Sequence, residues 1–428
     1  MQRILPSEFF NFEFLRVLGT APFGGSDVAE CLEAASQIRN NDPESWYTAW
    51  STVAERVERI GDDALRARDS EAARWAFLRA SNYRRSSEFL LHHLPGEPRL
   101  LTAITQAMDD FKKACTLFTS PVHLLEIPYE GKTNLPAYLF MPESVIDPVA
   151  KIPLLISTGG FDSIQEELYY YTAAGARTRG YATLLFEGPG QGIVLRRDHL
   201  LLRPDWEVVI GAVLDECHRL AEERPEWNLD LARVAVVGAS MGGYFALRGA
   251  TDPRVRACVS IDGFYDLGAT LRARIPSIVM DAIDSRSLWD GFFNALLRLV
   301  AKTSFQMRWE FGHAMLTTGI TSPVAVVREF SRYNLHLSGT ESLLSRVKCP
   351  VLVTGSRDTL YFPVDSGPRR IYNELTHLKE NEKELWIPIS AGQGSLQAKV
   401  AALSSLHVKM FGWLDQVFGI QESTLRRE

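Results

Sequence analysis

Cysteine is scarce in this chain and follows no pattern. Cys31, Cys115, Cys217, Cys258 and Cys349 contain no C-x-x-C pair. An odd number at irregular spacing suits reduced, mostly buried thiols better than a disulfide or zinc framework. Long apolar runs are also missing: none reaches the roughly 18 residues that a membrane-spanning helix needs. The opening residues, Met1-Gln-Arg-Ile-Leu-Pro-Ser-Glu-Phe-Phe10, lack a long apolar stretch followed by a small-residue cleavage site. Secretion is therefore not expected, and a cytoplasmic location is. Positive charge is not in excess, with 46 Lys and Arg against 52 Asp and Glu and a formal net charge of −6. That balance argues against nucleic acid as a main partner, because phosphate binding needs a concentrated basic surface. No internal repeat, low-complexity tract or long linker interrupts the chain. What remains is an ordinary globular composition, 46% hydrophobic and 23% charged, over 428 residues. That length supports one large core and a second region.

Two kinds of periodicity divide the chain. Residues 1–120 read as helical and are expected to form an N-terminal cap. Ser26-Asp27 can cap a helix carrying Val28, Cys31, Leu32, Ala35 and Ile38 on one face. Asp42-Pro43 reads as an N-cap followed by proline at N1, ahead of Trp46, Trp50, Val53, Val57 and Ile60. Further helices are expected over about 70–91, with Ala73, Trp75, Ala76, Leu78 and Tyr83, and over about 99–119. From 121 the pattern becomes strand-like, with His123–Tyr129 and Leu135–Met141 joined by the turn Glu130–Asn134. Short apolar strands then alternate with helical stretches: Ile152–Ser157, Ala182–Phe186, Val234–Val237, Ala257–Ile261, Val351–Thr354 and Leu385–Ile387. Fully apolar strands between helices predict an α/β fold whose parallel sheet is covered on both faces. Residues 121–428 are the expected core. The alternation stops at about 266–346, where a helical, Phe-, Leu- and Arg-rich lid insertion is expected.

One stretch organises the chemistry. Val234-Ala-Val-Val-Gly-Ala-Ser-Met-Gly-Gly243 runs from a strand through a sharp turn into a helical segment. A nucleophile elbow needs this pattern, with Ser240 at the apex and glycines where side chains would collide. A serine hydroxyl is weak at neutral pH and needs a base and an oxyanion site. The Met241 N–H is the expected first donor. The second is expected from Thr158-Gly159-Gly160-Phe161-Asp162 after the Ile152 strand, with Gly160 or Phe161 as donor and Asp162 beside the substrate. Asp358, ending the Val351 strand, stands where the acid of a Ser…Asp…His order belongs. The loop after the last strand, Ser390-Ala-Gly-Gln-Gly-Ser-Leu-Gln-Ala-Lys399, holds no histidine. His377 precedes that strand, and His407 reads as helix surface or packing. Asp162, Glu166 and Glu167 read first as helix caps or surface charge. His313 and His336 in the insertion read first as structural. Gly188-Pro-Gly-Gln-Gly192 lacks the residues of a nucleotide motif and reads as a backbone turn.

The helical N-terminal region, Gly159-Gly-Phe-Asp-Ser163 with Glu166-Glu167, Glu187-Gly-Pro-Gly-Gln-Gly192, and Gly238-Ala-Ser-Met-Gly-Gly243 together resemble one α/β-hydrolase family. It includes 2,6-dihydroxypseudooxynicotine hydrolase and fungal polyketide-pathway hydrolases of the pigment chain-shortening, fusarin and cytochalasan types. The resemblance covers nearly the whole chain. It implies an α/β-hydrolase fold with an N-terminal helical cap and a helical insertion. It also implies chemistry on β-diketone-like or polyketide–amino acid compounds. In the family a histidine lies shortly before a glutamine in the last loop. Aligning that glutamine with Gln397 puts Ser395 at the histidine position. Three readings follow: a ring-closing condensation on a polyketide-derived carbonyl compound, a serine hydrolase whose base comes from elsewhere, and a ligand-binding pseudoenzyme. No metal or organic cofactor is implied. The expected partner is a small hydrophobic substrate, with no nucleic acid or membrane, and a homodimer is an open alternative to a monomer.

Overall fold

The computed structural model describes residues 3–131, 133–143, 150–273, 280, 281, 283, 289–337 and 341–420. Lys132 of the expected turn and several residues of the expected insertion (274–279, 282, 284–288 and 338–340) lie outside the described residues. The chain divides into two compact units. One contains residues 1–117, 195–204 and 266–334, and the other contains 118–194, 205–265 and 335–428.

The first unit is helical. Its N-terminal part comprises α1 (Glu8–Leu18), α2 (Val28–Gln37), α3 (Pro43–Arg66), α4 (Ser70–Phe89) and α5 (Arg99–Cys115). Asp27, Asp42 and Asp69 cap α2, α3 and α4 by accepting from backbone N–H groups of the first turn. Such caps stabilise a helix by about 1 kcal/mol each. The expected faces are partly corrected. Cys31, Trp46, Trp50, Val53, Val57, Ala73 and Tyr83 are buried, whereas Val28, Leu32, Ile60 and Trp75 are exposed. Ala34 and Gly61 turn inward instead.

The inserted helices Asp290–Thr303, Phe305–Thr318 and Pro323–Phe330 belong to this unit rather than to the sheet. Their aromatic packing gives the reason. Trp309 stacks on Phe89 at 4.7 Å and donates its indole N–H to the Phe89 carbonyl at 2.6 Å. Phe305 meets the ring of Phe10 at 5.1 Å. Large aromatic rings that bury both faces and satisfy their N–H contribute heavily to such a core.

The second unit is built on one eight-stranded sheet in the order β1-β2-β4-β3-β5-β6-β7-β8. β1 (Val122–Tyr129) and β2 (Thr133–Phe140) form an antiparallel hairpin, and β2 pairs antiparallel with β4. The remaining pairings are parallel: β3 (Ile152–Thr158), β4 (Ala182–Phe186), β5 (Leu229–Ala239), β6 (Ala257–Ile261), β7 (Val351–Thr354) and β8 (Lys383–Trp386). β3, β4, β6 and β7 are buried along their whole length. Parallel strands share a direction, so the loops after β3 to β8 all leave from one edge of the sheet. In open α/β sheets this carboxyl edge is where ligands bind.

Candidate active site

Ser240 lies between β5 and the helix Met241–Gly249, with φ 58° and ψ −120°. A non-glycine residue in that region costs on the order of 1–3 kcal/mol and persists only where its surroundings hold it. Here the Ser240 N–H donates to the Ile261 carbonyl at 2.8 Å, and its carbonyl accepts from Gly243 at 2.9 Å. Its side chain makes no cap bond to the helix that follows. The two glycines of the motif face each other across the turn. A Cβ on Gly238 would overlap the Gly242 carbonyl, and one on Gly242 would sit 2.9 Å from the Thr158 carbonyl oxygen. The helix opens at Met241, where unpaired N–H groups and the dipole favour negative charge.

The loop after β3 runs against this turn. A Cβ on Gly160 would lie 3.0 Å from the Ala239 carbonyl oxygen and 3.2 Å from the Gly242 nitrogen. The structure thus brings Gly160 to the backbone of the turn that carries Ser240. Phe161 and Asp162 follow it and are half-buried. Glu166 and Glu167, expected as caps or surface charge, are instead buried. The Tyr138 hydroxyl donates to Glu166 at 3.0 Å, which compensates part of the cost of that burial.

Asp358 and Ser395 are brought together. The Ser395 hydroxyl donates to the Asp358 carboxylate at 2.6 Å, and the Asp358 N–H donates to the Ser395 carbonyl at 2.9 Å. Ser395 is fully buried and Asp358 is exposed. An alcohol therefore occupies the place beside the carboxylate.

His313, His336, His377 and His407 have partners of their own. His313 is buried in the helical unit, stacked on His92 at 4.6 Å and Trp309 at 5.0 Å. His336 is exposed and edge-on to Tyr265 at 4.9 Å. His377 bonds the Val347 carbonyl. His407 is buried and its Nε2 donates to the Tyr171 carbonyl at 2.9 Å, which makes it a packing residue. Burial pushes its imidazole down to about 4, against the pull of that hydrogen bond.

Sequence reasoning missed a buried ion pair beneath the Ser395 loop. Asp262 follows β6 in a left-handed conformation with φ 53°. Its carboxylate accepts from the Lys399 ammonium at 2.6 Å, from the Thr354 hydroxyl at 2.7 Å and from the Ser356 hydroxyl. Lys399 also donates to the Gly355 carbonyl at 2.9 Å and to Ser356 Oγ at 3.2 Å. All three ammonium donors are used and the carboxylate accepts from three groups, so the pair is structural. Gln397 ties the same loop to the Asp262 carbonyl at 3.1 Å, and Thr359 donates to Gln397 at 2.6 Å. The signal in the sequence was a single lysine ending an otherwise uncharged loop, opposite an aspartate that ends an apolar strand. Among the described residues, no three His, Cys, Asp or Glu side chains gather as metal ligands would. Nor is any described helix long and apolar enough to cross a membrane.

A strained serine between a parallel-sheet strand and a helix, on a sheet of this order, defines an enzyme of the α/β-hydrolase class. The chain belongs to the alpha/beta hydrolase family, whose model matches residues 154–384. It is 47% identical to a hydrolase from Fusarium sp., over 99% of this chain and 100% of that protein. It is 45% identical to 20-hydroxy-prefusarin hydrolase from Gibberella moniliformis, again over 99% and 100%. A hydrolyase from Penicillium oxalicum is 46% identical over 97% of this chain and 99% of its own. The fold is also that of 2,6-dihydroxy-pseudo-oxynicotine hydrolase, with a TM-score of 0.70 at 20% identity, covering 94% and 95% of the two chains.

Proposed function

We propose that this enzyme acts on a polyketide-derived carbonyl compound in fungal secondary metabolism and closes a ring by intramolecular condensation. The substrate class rests on its relatives, among them a prefusarin hydrolase. The reaction type rests on one observation, the Ser395 hydroxyl held 2.6 Å from Asp358. With an alcohol there instead of imidazole, a serine nucleophile lacks its usual proton acceptor, which costs orders of magnitude in rate. A condensation asks less of that position. The carbon between the two carbonyls of a β-ketoamide loses a proton, and the resulting enolate attacks an aldehyde on the same molecule. One C–C bond forms, one water leaves and no redox partner is needed. Such a step gains from holding the two ends together and from donors aimed at the developing oxyanion. The Met241 N–H and the Gly160–Phe161 stretch supply those donors in this reading. Ser240 hydrogen-bonds the carbonyl, and Asp358 with Ser395 orients the substrate and accepts the proton.

The test is turnover of an acyclic β-ketoamide aldehyde by the purified protein. Ser240→Ala is expected to slow ring closure by about tenfold or more. Equal rates with and without protein would end the proposal. The strained backbone of Ser240 favours a second reading, a serine hydrolase with a base from elsewhere. Fast, pH-dependent labelling of Ser240 by a fluorophosphonate supports that reading, and no labelling counts against it. Ser395→His separates the two. If the wild-type protein is a condensing enzyme, the added imidazole raises labelling by about tenfold or more.

A further inference from the structure

The turn after β4, Gly188–Gly192, does more than reverse the chain. The Gln191 side chain is buried, with 1% of its surface exposed. Its Oε1 accepts from the Gly188 N–H at 3.0 Å, and its Nε2 donates to the Gly160 carbonyl at 2.8 Å. Those partners fix the amide's orientation, since a backbone N–H must face the oxygen and a carbonyl must face the NH₂. The Gly160 N–H in turn donates to Ser163 Oγ at 3.3 Å. Both polar groups of Gly160 are therefore engaged, at a residue whose backbone packs on the elbow.

The next peptide bond converts this into a direction. The chain contains no cis peptide among its described residues. In a planar trans peptide, the Gly160 C=O and the Phe161 N–H point opposite ways. Whatever holds the carbonyl therefore also sets the line of the N–H. We propose that Gln191 is a positioning residue for the oxyanion site, setting the plane of the Gly160–Phe161 peptide so that Phe161, not Gly160, gives the second donor. This rests on the reading that Ser240 and its neighbours form the reacting site. It assigns a task to the Gly-Pro-Gly-Gln-Gly turn, and it explains why a glutamine serves there. An amide both accepts from Gly188 and donates to Gly160 at neutral pH, which an ionised carboxylate of the same length does not.

Two variants test it in the ring-closure assay, with Ser240→Ala as reference. Gln191→Met removes both bonds at nearly constant volume. It is expected to lower kcat by about 100-fold, the usual loss for one oxyanion donor, with KM changed by less than about threefold. Gln191→Glu keeps the acceptor for Gly188. As a carboxylate it opposes the Gly160 carbonyl, and as a carboxylic acid it donates to it. Its kcat relative to wild type should therefore rise as pH falls, a profile that a merely structural role would not produce. Should Gln191→Met fail to fold, the pH profile of Gln191→Glu decides alone. If Ser240→Ala slows turnover while the Gln191 variants keep wild-type kcat at all pH values, the Gln191 inference fails and the site reading stands. If all three run at the wild-type rate, the site reading fails and the inference falls with it.

Discussion

The buried pair Asp262–Lys399 offers the sharpest energetic test. Lys399→Met keeps the length and apolar stem of the side chain but removes the ammonium. It leaves the Asp262 carboxylate, 1% exposed, with only the Thr354 and Ser356 hydroxyls of its present side-chain donors. The Gly355 carbonyl loses its donor as well. Desolvating two ions is expensive, so the intact pair contributes little net stability. Removing one partner is another matter, because the other charge stays buried, at a cost of about 3–5 kcal/mol. For a unit of 150–250 residues that lowers the thermal midpoint by about 6–20 °C. The double variant Asp262→Asn with Lys399→Met leaves no charge behind and should recover at least about 2 kcal/mol of the loss. The assay is a thermal melt of wild type, single and double variants, with hydrogen exchange followed at amides 395–402. Exchange there should speed up in Lys399→Met, because Lys399 links that loop to the ends of β6 and β7. A midpoint drop below about 3 °C, or a double variant no more stable than the single, would refute the reasoning.

Two further outcomes follow from the same geometry. Gly238→Ala drives a methyl into the Gly242 carbonyl and should cost about 3 kcal/mol or more together with most turnover. Gly211→Ala, inside the helix Glu207–Glu223, is its control: a Cβ there meets nothing within 4 Å, and alanine should stabilise by about 0.5–1 kcal/mol, both read by thermal melts. His407 makes stability pH-dependent. Its folded value of about 4 lies below the unfolded value of about 6.5. Between those values the unfolded chain binds a proton that the native state does not, so stability falls as pH falls across that window, by up to about 3 kcal/mol. His407→Gln, which keeps a donor for the Tyr171 carbonyl, should flatten denaturation midpoints measured from pH 7 to 4.

The sheet was legible where burial was complete. Ala182–Phe186, Ala257–Ile261 and Val351–Thr354 have the bounds expected from their apolar runs, and each is buried throughout. β5 extends back to Leu229, which pairs with Ile152 of β3, but its first half is only partly buried, so Asp230 and Arg233 hide it from a hydrophobicity pattern. β8, at the sheet edge and half-buried, starts at Lys383, ahead of the apolar run at Leu385, for the same reason. The helix faces were harder. α1 is buried around its circumference, from Phe9 to Val17, so it shows no one-sided period. The pairing of Asp358 with Ser395 follows from chain order and family resemblance. That of Asp262 with Lys399 does not, because they are 137 residues apart and each alone resembles a turn residue.

That division bears on how the chemistry of this loop can change. Its position depends on Lys399 and Gln397. None of those contacts uses the side chain at 395. The Asp358 backbone bond to Ser395 does not use it either, since it runs through the carbonyl. The side chain at 395 contributes one hydrogen bond, to Asp358, of the order of 1.5–3 kcal/mol for a charged acceptor. The scaffold would therefore hold the loop with histidine or serine at its apex, and the difference between them would fall on proton transfer. Ser395→His should accordingly leave the thermal midpoint within a few degrees of wild type while changing Ser240 reactivity. A large loss of stability without a gain in labelling would mean that the buried position at 395 has been shaped around serine.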